Sequence, residues 1–276
     1  MAIINELIEQ LHKLTDSIDF ENFNLLTSKK YIDELSSFAD KNPIPSFILT
    51  TQPKGISLTR AVNWKKDGCY YNIKEFGPPP TENILVPGRA NFPHQSVLYC
   101  SEVPGTCLFE IKPSANGEFI GLLTFKIDRT LKLISFGLES YKYANKVGFD
   151  EKDIAINNFF GEKFKESIPN NQEYKYYPTA IISNLFYPNN IDGIIFPSVA
   201  TNLIGENIAL KTSIIEELEL IEDLRIVQVF DYKDPLNFKT RCVRSLKSIE
   251  KGKLEWKSVN CEGHHLTENI FHNKKK

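Results

Sequence analysis

The sequence predicts an α+β protein in which a mixed β-sheet forms the core and a helical extension precedes it. Two observations point to this class. Short apolar runs bounded by glycine or proline predict strands, and they are interspersed with helical patterns without the regular βαβ alternation of a doubly wound sheet. The 276-residue chain also has the composition of a globular protein, with 41% hydrophobic and 25% charged residues.

The N-terminal segment has the periodicity of amphipathic helices. Apolar residues recur at helical spacing at Ile3, Ile4, Leu7, Ile8, Leu11 and Leu14. A second helix is predicted over residues 28–38, and Pro43 and Pro45 follow it and break the pattern. We expect residues 1–54 to form a helical extension that packs on the main domain or meets a partner.

From Gly55 onward the pattern changes to short strands and turns. Pro104 suits the first turn of a short helix, and two further helices are predicted over residues 150–168 and 180–186. Strands are predicted over residues 56–62, 95–101, 118–127, 131–136, 194–196, 206–211 and 224–232.

The segment 241–256 is typical of a hairpin that turns at residues 251–253. We therefore expect a main domain over residues 55–232, followed by a C-terminal hairpin and tail over residues 233–276.

Composition and short patterns argue against several functions. No apolar window is as long as a membrane helix, and Glu6 and Glu9 stand where a signal peptide needs its apolar core. Five scattered cysteines, an odd number, favour reduced thiols, so we expect a cytoplasmic protein without a membrane partner. The formal net charge of -2 and the lack of a basic face argue against nucleic-acid binding.

A metal site is not expected either. Cys261, His264 and His265, with His272 as a fourth ligand, match no zinc spacing and favour a polar tail. The chain also lacks GxSxG, a Walker loop, GxGxxG and HExxH.

Two arginines occur in unusual sequence contexts. Arg89 follows the Pro87-Gly88 turn, and its planar guanidinium can bind a phosphate or carboxylate with two hydrogen bonds. The alternative is a local ion pair with an acidic residue such as Glu82. Arg60 stands within a strand-like run, where it lines a polar cavity or lies on the surface of an edge strand.

Three other residues have a functional and a structural interpretation. Tyr99 ends an apolar run, so it is a core residue or an aromatic face for a base or a pyridine ring. Glu110 lies among apolar residues, where it pairs with Lys112 or stabilises a positively charged ribose in a transition state. Ser198 follows a strand and a proline, which is typical of a ligand-contacting loop and equally of an ordinary turn.

Taken in order, these patterns resemble the RES domain family, named for its arginine, glutamate and serine. The main similarity covers residues 78–113, read as PPP…PGRAN…SVLYCS…TCLFEIKP. The other similar segments, which extend the resemblance over residues 56–211, are LTRA at 58–61, YPT at 177–179, DGIIFPS at 192–198 and GENIAL at 205–210.

The resemblance implies a fold similar to ADP-ribosyltransferases and an enzyme that consumes NAD as its substrate. Many members are toxins of Xre–RES toxin–antitoxin pairs, which degrade NAD by phosphorolysis or hydrolysis. If the residue roles of the family apply to this chain, Arg60 and Arg89 would bind the NAD phosphates and Tyr99 would pack on the nicotinamide. Glu110 and Ser198 would hold the nicotinamide ribose, and Asn207 would support the site.

Two departures from the family pattern are visible. Lys112 replaces an arginine after Glu110, and His94-Gln95 replaces a Pro-Gly-like turn before the strand. The expected partners are NAD, inorganic phosphate and an Xre-type antitoxin, and a homo-oligomer is expected. Two alternatives stay open, an ADP-ribosyltransferase that modifies a macromolecule and a module that binds NAD or a partner without turnover.

Overall fold

A computed structural model gives the fold of most of the chain. It describes residues 49–52, 55–63, 72–137, 151–169, 171–186, 190–217, 220–234 and 237–259, together with positions 6, 9, 10, 12, 13, 29–31, 33, 34, 36 and 37. The chain divides into two compact units. Unit 1 comprises Met1–Thr51, Pro80–Val97 and Lys132–Pro197, and unit 2 comprises Gln52–Pro79, Leu98–Leu131 and Ser198–Lys276.

Unit 2 is built on a five-stranded sheet in the order β10-β9-β8-β4-β2. Each neighbouring pair in it is antiparallel. Its strands are β2 (Ile56–Asn63), β4 (Phe119–Ile127), β8 (Leu220–Asp234), β9 (Asn237–Glu250) and β10 (Lys253–Ser258).

One face of this sheet carries the apolar core of unit 2. The buried cluster joins helix and sheet residues Leu108, Phe109, Ile120, Leu122, Ala200, Val227, Val229 and Phe238. The helix is α1 (Pro104–Ile111), which begins with proline at its first position, where no backbone donor is needed. It ends at once after Glu110 and Ile111, because Lys112 takes a left-handed conformation with φ 51°. Packing of α1 on the sheet therefore fixes the position of Glu110.

The remaining elements of unit 2 are short. Strands β3 (Val97–Cys100) and β7 (Glu206–Lys211) are hydrogen-bonded neighbours. The 3-10 helices of this unit are Ile73–Phe76, Val199–Thr201 and Thr212–Glu217.

Unit 1 contains β1 (Leu49–Gln52), β5 (Leu131–Ser135) and β6 (Gly193–Pro197), which neighbour one another in that order. Strands β5 and β6 are parallel. Its helices are α2 (Glu151–Lys165), α3 (Tyr177–Phe186) and the 3-10 helices Thr81–Asn83 and Glu173–Tyr176.

Helix α2 packs closely on the chain that leaves β5. A Cβ added at Gly161 would lie 2.5 Å from the Cα of Gly137, so neither position has room for a side chain. A group of phenylalanines fills the surrounding core, and the rings of Phe136 and Phe164 stack with centroids 4.8 Å apart.

The structure confirms the predicted α+β class, with antiparallel and parallel pairing both present. Strand β8 is longer than predicted and runs past residue 232, the expected end of the main domain. It pairs with β9, so the predicted C-terminal hairpin forms part of the unit 2 sheet. The N-terminal positions described, among them 6, 9, 10 and 29–31, are helical.

Two expectations concern membranes and metals. Within the described ranges, no helix has the length and apolar character needed to cross a membrane. The same residues contain no group of three histidine, cysteine or acidic side chains placed to hold a metal ion. Cys261, His264, His265 and His272 lie outside the part of the chain that the structure describes.

Candidate active site

The centre of the site is the carboxylate of Glu110, near the end of α1. Its Oε1 atom accepts a hydrogen bond from the Ser198 hydroxyl at 2.6 Å and another from the Asn207 side-chain amide at 2.6 Å. Ser198 caps the 3-10 helix Val199–Thr201, and Asn207 is the second residue of β7. The sequence therefore brings together three polar side chains from separate segments of unit 2.

The two oxygens of this carboxylate have different environments. Ser198 is completely buried and Thr201 donates its backbone N–H to the Ser198 Oγ at 3.3 Å, so the hydroxyl proton is directed at Glu110. Oε1 thus accepts two hydrogen bonds, whereas Glu110 as a whole is exposed. A carboxylate held by one oxygen keeps the other for a hydroxyl group or a developing positive charge.

The loop that carries Ser198 is closed by its own hydrogen bonds. Ser198 donates its N–H to the Gly205 carbonyl at 2.8 Å and accepts at its own carbonyl from Leu203 N–H at 2.9 Å. Two consecutive non-glycine residues, Asn202 and Leu203, have φ of 52° and 66°. Such left-handed residues are costly away from glycine, so the surrounding hydrogen bonds must hold the loop in this shape.

Gly205 lies at the narrowest point of this loop. An added Cβ would lie 2.3 Å from the Thr106 Oγ1 on α1 and 2.9 Å from the Thr201 Oγ1. The absence of a side chain at Gly205 therefore lets the loop approach the helix that carries Glu110.

Arg60 and Tyr99 are neighbours in the same unit. The Arg60 guanidinium donates to the Tyr99 carbonyl at 3.4 Å, a long hydrogen bond. Reciprocal backbone hydrogen bonds between Thr59 and Ser101, at 2.8 and 2.9 Å, hold the two segments together. Both side chains are half-buried, so neither is sealed in the core.

Cys107 lies one helical turn before Glu110 and is a poor nucleophile. Burial raises the pKa of its thiol to about 12, and the nearby negative charge of Glu110 also disfavours the thiolate. The thiol donates to the Thr59 carbonyl at 2.9 Å. The pKa of the buried Cys100 thiol is raised as well, mainly by desolvation. Thiolate chemistry at these two cysteines is therefore disfavoured.

Arg89 belongs to unit 1, and its guanidinium contacts the C-terminal end of α2. It donates to the carbonyls of Phe164 at 2.7 Å and Glu166 at 3.0 Å. It also lies 5.0 Å from the centre of the Tyr176 ring. These contacts differ from the local ion pair with Glu82 considered from sequence, because the partners are carbonyls at a helix end.

The departure at His94-Gln95 also has a structural explanation in unit 1. His94 takes a left-handed conformation with φ 59°. Gln95 accepts the Phe92 N–H at 2.8 Å and exchanges side-chain hydrogen bonds with Asn184 of α3 at 2.7 and 3.0 Å. The pair thus forms its own turn and ties it to a helix.

Of the predicted site residues, Glu110, Ser198 and Asn207 share one hydrogen-bonded cluster, and Arg60 contacts Tyr99. Arg89 lies in the other unit. Sequence reasoning missed Thr201, which contacts Ser198 through both backbone and side chain. The available signal was its position three residues after a serine, the spacing of a side-chain cap.

These features define an α+β protein whose candidate site is an anchored carboxylate. A model of the RES domain family matches residues 64–228, more than half of the chain. The chain belongs to the RES domain family. The matched segment contains Arg89, Tyr99, Glu110, Ser198 and Asn207 and begins just after Arg60.

One solved structure to which this chain is similar is the crystal structure of the M. tuberculosis MbcT-MbcA toxin-antitoxin complex. The similarity has a TM-score of 0.36 at 10% sequence identity and covers 64% of this chain and 87% of that one. A comparison with curated proteins gives no match.

Proposed function

We propose that this protein cleaves the bond between nicotinamide and ribose in NAD, with phosphate or water as the acceptor, and acts as the toxin of a toxin–antitoxin pair. The observation that carries the proposal is the Glu110 carboxylate, held at Oε1 by Ser198 and Asn207 while the residue remains exposed. Membership of the RES domain family supports NAD as the substrate.

Cleavage of the nicotinamide–ribose bond requires little acid catalysis from the protein. Nicotinamide in NAD is a cationic leaving group, so it departs as a neutral molecule with the electrons of the broken C–N bond. Positive charge develops on the ribose, and the negative charge of Glu110 would stabilise it or bind a ribose hydroxyl. An oxygen of phosphate, or of a water molecule that gives up a proton to solvent, then bonds to the anomeric carbon. Orientation of the dinucleotide provides much of the remaining rate acceleration.

The arginines and the tyrosine would bind the rest of the substrate. We assign Arg60 and Arg89 to the phosphates and Tyr99 to the nicotinamide ring, which it would contact with its aromatic face. A guanidinium has five N–H donors, and Arg89 gives one to each of two carbonyls. Within the described part of the chain, the other three donors are left for a phosphate to bind without loss of these two contacts.

We propose a cytoplasmic protein that forms a homo-oligomer and binds an Xre-type antitoxin, without nucleic acid or membrane as a partner. Light scattering of the purified protein, alone and with the candidate antitoxin, measures both associations. A monomer that leaves the antitoxin unbound would contradict this setting and leave the catalytic proposal intact.

The decisive experiment is NAD cleavage by the purified chain with and without inorganic phosphate. We expect nicotinamide release, with phosphorylated ADP-ribose or ADP-ribose as the second product. Glu110→Gln keeps the shape but loses the charge, and it should lower kcat by roughly 10²- to 10³-fold, the range seen when one transition-state electrostatic contact is lost. Glu250→Gln, at an exposed carboxylate of β9 in the same unit, is the matched control and should be fully active.

Two results would contradict the proposal. Folded wild-type protein that releases no nicotinamide under either condition would exclude NAD cleavage, and an active Glu110→Gln variant would exclude the assigned role. Label transferred from NAD to macromolecules of a lysate would instead support ADP-ribosyl transfer.

A further inference from the structure

Thr201 contacts Ser198 through both its backbone and its side chain. Its backbone N–H donates to the Ser198 Oγ at 3.3 Å, and its side-chain hydroxyl donates to the Ser198 carbonyl at 3.2 Å. The Thr201 Oγ1 in turn accepts the Gly205 N–H at 2.8 Å. Thr201 is only 2% exposed, so its side chain is not open to a ligand.

These contacts give the Ser198 hydroxyl a direction. A hydroxyl group can rotate and can donate or accept, whereas an ionised carboxylate can only accept. The Thr201 N–H is shared between the Ser198 Oγ and the Ser198 carbonyl, each at 3.3 Å, and Ser198 donates its own hydroxyl proton to Glu110 Oε1 at 2.6 Å. The second contact, from Thr201 Oγ1 to the Ser198 carbonyl, fixes the backbone that carries this hydroxyl.

The side chain of Thr201 also closes the loop. Asn202 and Leu203 both have positive φ, a shape that non-glycine residues do not keep unless other contacts require it. The hydrogen bond from Gly205 to Thr201 spans these two residues and returns the chain towards β7, which carries Asn207. Thr201 thus contacts Ser198 directly and closes the loop at Gly205, two residues before Asn207.

We infer that Thr201 is a positioning residue, which orients the Ser198 hydroxyl and so fixes the Glu110 carboxylate for the reaction. It acts through Ser198 and does not touch the substrate. The inference on kinetics rests on the proposed NAD cleavage, whereas the inference on geometry does not.

Two substitutions separate the hydroxyl group from the volume of the side chain. Thr201→Ser keeps the hydroxyl and should retain kcat within about twofold. Thr201→Val keeps the branched shape and removes both side-chain hydrogen bonds. It should lower kcat roughly 10- to 100-fold, since small displacements of a catalytic group have effects of this size, and should leave KM within about twofold. The control is Thr240→Val on β9, an equally buried threonine whose hydroxyl meets no hydrogen-bond partner in the described part of the chain.

A double-mutant cycle with Ser198→Ala tests the route of the effect. If Thr201 acts through Ser198, the Thr201→Val substitution should have little further effect on kcat once Ser198 is alanine. Additive losses would overturn the inference, because they would mean that Thr201 supports the fold independently of Ser198.

Two measurements test the geometry without any turnover. Hydrogen exchange of the Gly205 amide should be slow in the wild type and in Thr201→Ser, and fast in Thr201→Val. The side-chain amide signal of Asn207 in an NMR spectrum should move in Thr201→Val, since its acceptor Glu110 moves. Unchanged Gly205 exchange and an unchanged Asn207 signal in Thr201→Val would overturn the inference.

These readouts also keep the two proposals apart. If the wild type does not cleave NAD while the Gly205 and Asn207 readouts behave as expected, the proposed function fails and the positioning role stands. If Thr201→Val fails to fold, Gly205 exchange in the wild-type and Thr201→Ser proteins still tests the inference. Rapid exchange of the Gly205 amide in both would then refute the assigned hydrogen bond.

Discussion

Replacement of Arg89 should destabilise unit 1, independently of any effect on substrate binding. Arg89→Ala removes two hydrogen bonds from a charged donor to the carbonyls at the end of α2, at 2.7 and 3.0 Å. It also removes a cation near the negative end of the helix dipole and a cation–π contact with Tyr176.

The magnitude follows from these contacts. The hydrogen bond to Phe164 is partly buried and should contribute about 1.5 kcal/mol, whereas the bond to Glu166 is exposed and contributes less. The dipole and ring contacts add about 0.5 kcal/mol each. Allowing for overlap between these effects, Arg89→Ala should lower the free energy of unfolding by about 2–3 kcal/mol. Arg89→Lys keeps the charge and one hydrogen bond, and should lower it by about 1 kcal/mol.

Urea unfolding of the three proteins, with an unchanged m-value, measures these differences. The control is Arg241→Ala in unit 2. Its guanidinium makes exposed hydrogen bonds to the Gln228 side chain and lies 6.0 Å from the Phe230 ring, so about 0.5 kcal/mol is expected. A loss below about 0.5 kcal/mol in Arg89→Ala would refute the helix-end role. Until stability is measured, lost activity in Arg89→Ala cannot be attributed to a lost phosphate contact.

Two further predictions concern α1 and the residue that ends it. In urea titrations, Lys112→Gly should raise the free energy of unfolding by about 0.5–1 kcal/mol, because glycine accommodates the left-handed conformation at φ 51°. The control Lys112→Ala keeps the backbone strain and should not raise the free energy of unfolding. The pKa of the Cys107 thiol is raised to about 12, so its contribution to the free energy of unfolding should be complete below pH 9 and should decline as the pH rises from 9 towards 12. Thermal unfolding scans of Cys107→Ala should show a smaller decline over this pH range. Iodoacetamide that modifies Cys107 of the folded protein at pH 8 as fast as in urea would contradict this prediction.

Local sequence patterns predicted most elements because each is marked by its own residues. Pro104 and Pro178 open helices, and the 206–211 strand was predicted with the bounds of β7. The pairing of β8 with both β4 and β9 could not be predicted in this way, since apolar periodicity does not identify a strand's neighbours.

In the site, too, the sequence identified individual residues but not the distant residues that they contact. Glu110 and Ser198 were candidates through a family pattern, because the local sequence of each also suits an ordinary helix end or turn. The carbonyl partners of Arg89 lie 75 and 77 residues away, at a helix end whose unpaired carbonyls have no sequence signature. Thr201 was missed because its role depends on a loop closed by Gly205.

The separation of Glu110 from its two partners has a consequence for synthesis of the protein. Ser198 and Asn207 follow it by 88 and 97 residues. At a translation rate of about 5–20 residues per second, roughly 5–20 s pass between the synthesis of Glu110 and that of Asn207, the later of its two partners. Strands β8, β9 and β10 of the same unit are made later still. A nascent chain therefore carries the carboxylate without its anchors, and a ribosome-bound intermediate lacks the complete candidate site. This leaves an interval for a partner to bind before the site forms.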